Sequence, residues 1–373
     1  MLPSLTALHL PRTLFGAGSL ASLSDEFAAL GMHRPMLVTD KGLVKAGLVA
    51  KLVAACGTKA ALTVFDTVTE NPLFSDVDTG VRRFAHAGCD GVIALGGGSV
   101  IDTAKFIALL ATNTGVAADF AGVPGAKHGL CAPLIVIPTT AGTGSEASPS
   151  AGIHPDAKTA TLGMNSWRLV PKVAILDPDL TASLPQRLTA ATGIDALSHC
   201  IEGYLSKRDL PLGKSIALDG IARVARSLRA ATVDRDPVAR ADMMLAAYAG
   251  GASIGMGLGP AHAFAITCSD QGFHHGILSG IGMVATLNAT AAHVPDRVAE
   301  LAGAFGVKQP LSDAIATLMT DLDLPTTLAG LGYTITDANA LGKAAHRSHF
   351  NASAPFHPSA EDYATMIAAS ANR

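Results

Sequence analysis

The hydrophobic periodicity of this chain changes character halfway along, and that change constrains the fold more than any other feature. Short apolar runs at 35–39 (PMLVT), 61–65 (ALTVF), 91–95 (GVIAL) and 133–137 (PLIVI) alternate with longer segments of helical spacing, at about 41–55, 74–88 and 99–111. Strands alternating with helices in this way predict a parallel sheet covered on both faces. From about residue 181 the strand-like runs thin out. Ala-, Leu- and Met-rich segments take over at 187–205, 213–231, 237–254, 277–292 and 311–321, all with helical periodicity. The stretch 167–182 reads as a last strand and the crossing between the two regimes. The expectation is an α/β domain over 1–180 followed by an all-α domain over 181–373.

A length of 373 residues suits two domains rather than one. Hydrophobic residues make up 49% and charged residues 15%, which permits a large core and argues against disorder. The net charge is −3 with no dense basic run, so a nucleic-acid partner is not expected. No apolar stretch reaches the length of a membrane span, and the N-terminal MLPSLTALHLPRTLF lacks the pattern of a signal peptide. The five cysteines are scattered with no CxxC pair, as expected for thiols packed in the core of a cytoplasmic protein.

Two loops follow predicted strands directly. Gly96, Gly97, Gly98 and Ser99 come after the 91–95 run, and Asp102 and Lys105 lie in the helix that follows. A strand, a glycine turn and a helix N-terminus form an anion site, because glycine admits close approach and the first helical N–H groups point outward. A tight strand-to-helix turn with no ligand explains a glycine triplet almost as well. The second loop, PTTAGTGSEAS (138–148), carries the hydroxyls of Thr139, Thr140, Thr143 and Ser145. Two such loops at strand C-termini of one parallel sheet mark a nucleotide crevice, which gives the α/β domain a Rossmann-like, dinucleotide-binding reading. Asp40 ends the first strand of that sheet. A carboxylate there accepts hydrogen bonds from a ribose diol and repels a 2′-phosphate, favouring NAD over NADP; a plain helix N-cap is the competing role.

In ATGIDALSHCIEGYLS (191–206), Asp195 and His199 stand four residues apart on a helical, largely apolar segment. Side chains at that spacing share a face, and a buried carboxylate needs a partner, for which a cation qualifies. His262 and His275 bracket HAFAITCSDQGFHHG. Thirteen residues of unbroken helix would hold them ~20 Å apart. A common metal therefore requires a helix break at Ser269–Gly272, a run that reads as a turn. One Asp and three His suit Fe²⁺ or Zn²⁺. The adjacent His274 is by default a polar core or surface residue.

These pieces together resemble the iron-containing (group III) alcohol dehydrogenases. The resemblance rests on GGGSVIDTAK (96–105), PTTAGTGSEAS (138–148), DPDLTASLP (177–185) with GIDALSHCIEGYLS (193–206), and the FHHG histidines, supported by LFGAGSL (14–20), VTDKGL (38–43) and TENP (69–72). It runs from about residue 10 to 290 and weakens beyond. It implies a two-domain, dehydroquinate synthase-like architecture with the site in the cleft between the domains, and a homodimer. It also implies Asp195, His199, His262 and His275 as metal ligands; Gly96–Ser99 as the cofactor loop; and Asn71, Asp102, Thr139, Thr140, Thr143, Ser145 and Lys158 on the cofactor side, with Asp40 favouring NAD. The family's frequent extra histidine, four residues after the third ligand, is Ile266 here, and the His262–His275 spacing is one residue short. That leaves His274 as a candidate replacement in proton transfer. The segment 343–360 lacks the usual Asn-Pro-Arg; its His346 and His349 read mainly as parts of a solvated loop.

The implied activity is a metal-dependent, NAD(P)-linked interconversion of a small primary alcohol and its aldehyde, with hydride passing between carbon and nicotinamide C4. A dehydroquinate synthase-type lyase would need several basic residues near the ligands, and few are present. A metal-independent maleylacetate reductase-like enzyme would lack the complete Asp/His set. A non-catalytic nucleotide-binding protein would not keep both loops and ligands.

Overall fold

The computed structural model describes residues 7–57, 61–123, 126–157 and 159–371. They form two compact units: one over 9–140 and 145–184, the other over 185–371 with Ala141–Gly144.

The first unit is built on a six-stranded parallel sheet. Its strands are β1 (Arg12–Phe15), β2 (Pro35–Val38), β3 (Thr63–Phe65), β4 (Gly91–Gly96), β5 (Leu134–Pro138) and, after a separate hairpin of β6 (Ser150–Ile153) and β7 (Leu162–Asn165), β8 (Val173–Leu176). The order across the sheet is β1-β8-β5-β4-β2-β3. Every residue of β2, β4, β5 and β8 is buried, as a sheet with both faces covered requires. Leu37, Ile93, Leu95, Ile135, Ile137 and Ile175 pack with Leu23, Phe27, Leu48 and Leu52 from flanking helices. From β2 the chain passes to β3 on one side and then returns to β4 on the other, so the strand order reverses between β2 and β4. In an open α/β sheet the crevice beyond such a switch point is where ligands bind.

The four interior strands and the helices between them match the sequence expectation within a few residues. The helix expected after Asp40 is two helices, Lys41–Lys45 and Leu48–Cys56, because Gly47 adopts φ +77° between them. Edge strand β1 and the β6–β7 hairpin were not anticipated.

The second unit is helical. Its centre is the helix Gln186–Leu205, in which every residue from Thr189 onward is buried. A helix covered on all sides belongs in the middle of a bundle. Around it lie Pro211–Arg229, Pro237–Ile254, Pro260–Thr267 and His275–His293. Three of these four begin with proline, whose missing N–H costs nothing in the first turn. Residues 343–360 are not a solvated loop. A helix ending at His346, which starts at Ala338 and is capped by the Asp337 side chain on Ala340 N (3.0 Å), and a short turn of helix at His349–Ala352 order much of the stretch. Tyr363 and Ala345 anchor it in a small core with Ala263. No helix among the described residues is long and apolar enough to cross a membrane.

Candidate functional site

In the first unit, the residues beyond the strand ends gather at the switch point. The helix Gly98–Leu110 starts straight after β4, with Gly97 at its N-cap and no side chain capping it. Its first-turn N–H groups have no intrahelical acceptor. Thr139 N donates to Gly96 O (3.1 Å), tying the loop after β5 to the loop after β4, and a Cβ on Gly97 would stand 3.3 Å from the Thr140 side chain. Ser99 Oγ donates to the Glu70 carbonyl, next to exposed Asn71. Asp40 is an N-cap: its Oδ1 accepts from Leu43 N at 2.9 Å.

Asp102 and Ser145 turn inward. Ser145 Oγ donates to Asp102 Oδ1, and Gly152 N donates to Oδ2 at 2.8 Å. Buried Lys105 donates to the carbonyls of Ser148 (2.9 Å) and Ser150 (2.6 Å). These contacts fasten the β6–β7 hairpin to the Gly98–Leu110 helix. Burial raises the Asp102 pKa, pushes Glu146 up to about 7 and lowers Lys105 to about 8. Thr143 lies half-buried in the Ala141–Gly144 segment of the second unit, and Lys158 lies outside the described residues.

In the second unit, the helix break that a shared metal required is present. One helix ends at Thr267, Gly272 adopts φ +76° in the connecting turn, and the next helix begins at His275. The returning helix crosses the central one closely. A Cβ on Gly276 would collide with the Ala191 carbonyl oxygen and stand 3.1 Å from Asp195 Cβ.

The result is a cluster. One donor atom each from Asp195, His262 and His275 lie within 4.8 Å of one another, the one such metal-competent group among the described residues. His275 Nε2 is 3.8 Å from Asp195 Oδ1, and His199 Nε2 is 3.9 Å from the same oxygen. The His199 ring stacks on His262, with centroids 4.8 Å apart, but its donor atom stands outside the tight group. Asp195, His199 and His262 are buried, and the His275 side chain is 39% exposed.

Asp195 Oδ1, His199 Nδ1 and His262 Nε2 are buried with no hydrogen-bond partner. Unpaired groups of this kind are costly, and a cation between the Asp195 oxygen and His262 Nε2 would remove the cost for those two. Burial works to raise the Asp195 pKa, but the fields of His199, His275, His262 and His274 prevail and hold it below the ordinary carboxylate range. Burial drives His199 down to about 4, and the partial burial of His275 lowers its pKa too, against the pull of Asp195. The residues therefore fit a divalent cation of the Fe²⁺ or Zn²⁺ kind.

His274 caps the helix it precedes, its Nδ1 accepting from Gly276 N at 3.1 Å. His346 Nδ1 bonds to Pro358 O (2.9 Å) and its ring stacks on His357, so it serves local structure. His349 is exposed and packs on Phe350, whose ring meets His262 edge-on at 5.7 Å. Sequence reading missed both Phe350 and Glu202. Glu202 follows His199 by three residues on a face that already carries Asp195, and a carboxylate in so apolar a helix was the available signal.

Residues 11–178 match the family "Iron-containing alcohol dehydrogenase", and residues 189–371 match "Fe-containing alcohol dehydrogenase family, C-terminal". The second match extends well beyond residue 290, where the resemblance read from sequence weakened. The chain is 40% identical to a 4-hydroxybutyrate dehydrogenase of Cupriavidus necator, over 97% of each chain. Among solved structures it is similar to a 1,3-propanediol oxidoreductase (TM-score 0.94, 28% identity, covering 98% of this chain and 100% of that one). It is also similar to the sulfoacetaldehyde reductase of Bifidobacterium kashiwanohense in complex with NAD⁺ (TM-score 0.91, 28% identity, covering 100% of this chain and 99% of that one). This chain belongs to the iron-containing alcohol dehydrogenase family.

Proposed function

We propose that this protein is a metal-dependent, NAD-linked alcohol dehydrogenase or aldehyde reductase acting on a short primary alcohol or its aldehyde, with 4-hydroxybutyrate and its aldehyde the first pair to test. The observation that carries the reading is the convergence of His262 and His275 on Asp195, whose Oδ1 is buried with no hydrogen-bond partner. Asp195, His199, His262 and His275 would hold the cation. A divalent cation bound there supplies Lewis acidity, which polarises an aldehyde carbonyl and lowers the pKa of an alcohol. The apolar residues of the central helix keep bulk water from Asp195 and His199, so the field there is weakly screened. The uncapped start of the Gly98–Leu110 helix suits a pyrophosphate, and Asp40 suits a ribose diol better than a 2′-phosphate. The relatives' names point to short substrates carrying a second polar group, and the 40% identity to the 4-hydroxybutyrate enzyme favours a terminal carboxylate.

The test is NADH oxidation with a panel of short aldehydes, before and after thorough chelation and after re-addition of Fe²⁺ or Zn²⁺. Turnover that disappears on chelation and returns with metal supports the reading. Turnover indifferent to chelation would move the protein to a metal-independent, maleylacetate reductase-like chemistry. No turnover with any aldehyde would refute the dehydrogenase reading.

A further inference from the structure

Glu202 is a buried carboxylate with an unusual set of partners. Its Oε1 accepts from Ala261 N at 2.7 Å, and its Oε2 accepts from His262 N at 3.3 Å and lies 2.6 Å from His262 Nδ1. Two of these bonds cap the helix Pro260–Thr267, whose N-cap residue, Gly259, has no side chain to do so. Gly259 also leaves the carboxylate room, since a Cβ there would stand 2.9 Å from Oε1.

The third bond has a chemical consequence. An ionised carboxylate only accepts hydrogen bonds, so Nδ1 of His262 must carry the proton. In the neutral imidazole Nε2 is then bare, and Nε2 is the buried atom of His262 that has no partner, on a ring that belongs to the ligand cluster. We infer that Glu202 is a positioning residue for the metal centre: it locks His262 in the tautomer that offers Nε2 to the cation, while the same carboxylate fixes the start of the helix that carries the ring. The inference rests on the metal-centre reading above. It extends that reading to a residue that does not touch the cation, and partners of this kind typically contribute 10–100-fold to affinity.

Glu202→Gln keeps the shorter cap bond and removes the acceptor for Nδ1. The amide oxygen can still accept from Ala261 N, but the amide NH₂ in place of Oε2 accepts neither from Nδ1 nor from His262 N, whose bond is the longer of the two caps. It favours the opposite tautomer, with Nε2 protonated. Zn²⁺ affinity of the full-length, metal-free protein is measured by competition against a chromophoric chelator, for wild type and variant, with the thermal midpoint of each metal-free protein recorded alongside. The expected result is ~10–100-fold weaker binding by the variant, with a metal-free midpoint close to that of wild type. Equal affinities would overturn the role of Glu202 and leave the metal centre standing. A wild-type protein that binds no Zn²⁺ would remove the metal centre itself, and this inference with it.

A second measurement does not depend on the variant folding. In ¹⁵N-histidine spectra of metal-free wild type at about pH 8, above the ordinary imidazole pKa, the His262 resonances are identified by their loss in His262→Ala. They should report a protonated Nδ1 and a bare Nε2. The reverse tautomer would overturn the inference.

Discussion

Asp40 combines two roles that one substitution can separate. Its carboxylate caps the Lys41–Lys45 helix through Leu43 N, and it stands at the end of β2, beside the switch point of the sheet. Asparagine caps a helix about as well as aspartate but carries no charge. Asp40→Asn should therefore leave the thermal midpoint nearly unchanged and raise the relative kcat/KM for NADPH over NADH by about 10-fold, the scale of one nearby charge in a partly solvated site. An unchanged cofactor ratio would reduce Asp40 to a cap.

Glu146 gives a residue-scale prediction about stability. Burial raises its pKa from 4.5 to about 7. Between those values the folded chain keeps a proton that the unfolded chain has lost, so this group makes stability fall as pH rises. Lys105, lowered from 10.5 to about 8, acts in the opposite direction above that pH. Glu146→Gln should flatten the midpoint-against-pH curve between about pH 5 and 7, removing an effect of at most a few kcal/mol. Parallel curves for wild type and variant would contradict the burial argument. Glu146 did not stand out in the sequence, and Glu202 stood out only as a carboxylate in an apolar helix, because a carboxylate shows its partners only once distant segments meet. Asp195 and His199 were legible because helical spacing alone puts them together.

Among the elements, the helices that carry the candidate ligands are held by close backbone approach as much as by side-chain packing. Gly276 sits where the His275–His293 helix crosses the central helix, and the atom a Cβ would strike belongs to the backbone, which cannot swing aside. Gly276→Ala should cost roughly 1–3 kcal/mol, as overpacking generally does, and should lower metal content together with the thermal midpoint. A variant with wild-type midpoint and full metal content would show that the crossing tolerates the methyl group. The same scale explains what could be read in advance. β2, β4, β5 and β8 are uniformly apolar and announced themselves, whereas β1, at the sheet edge, is mostly exposed and carries no such pattern. The β6–β7 hairpin depends on Lys105 and Asp102, some 45 residues away in sequence, and nothing local predicts it. The turn at Ser269–Gly272 was legible by a different route: without it, two histidines of one ligand set would have been ~20 Å apart.

Across the whole molecule the two units divide the chemistry. The sheet unit holds the glycine loop, Asp40 and most of the threonine loop, and the helical unit holds the four candidate ligands. The family match spans both, which is why short motifs from each half sufficed to find it. The central claim is that Asp195, His199, His262 and His275 hold a single cation, and His199 is its most exposed point, since its donor atom stands outside the tight group of three. The most direct test is a crystal structure of the metal-loaded protein, with anomalous data collected on both sides of the iron and zinc edges. The account predicts one strong peak at about 2.0–2.2 Å from an Asp195 oxygen and from one nitrogen of each of the three histidines. A metal-loaded, active protein with the peak elsewhere, or with His199 turned away from it, would contradict the account.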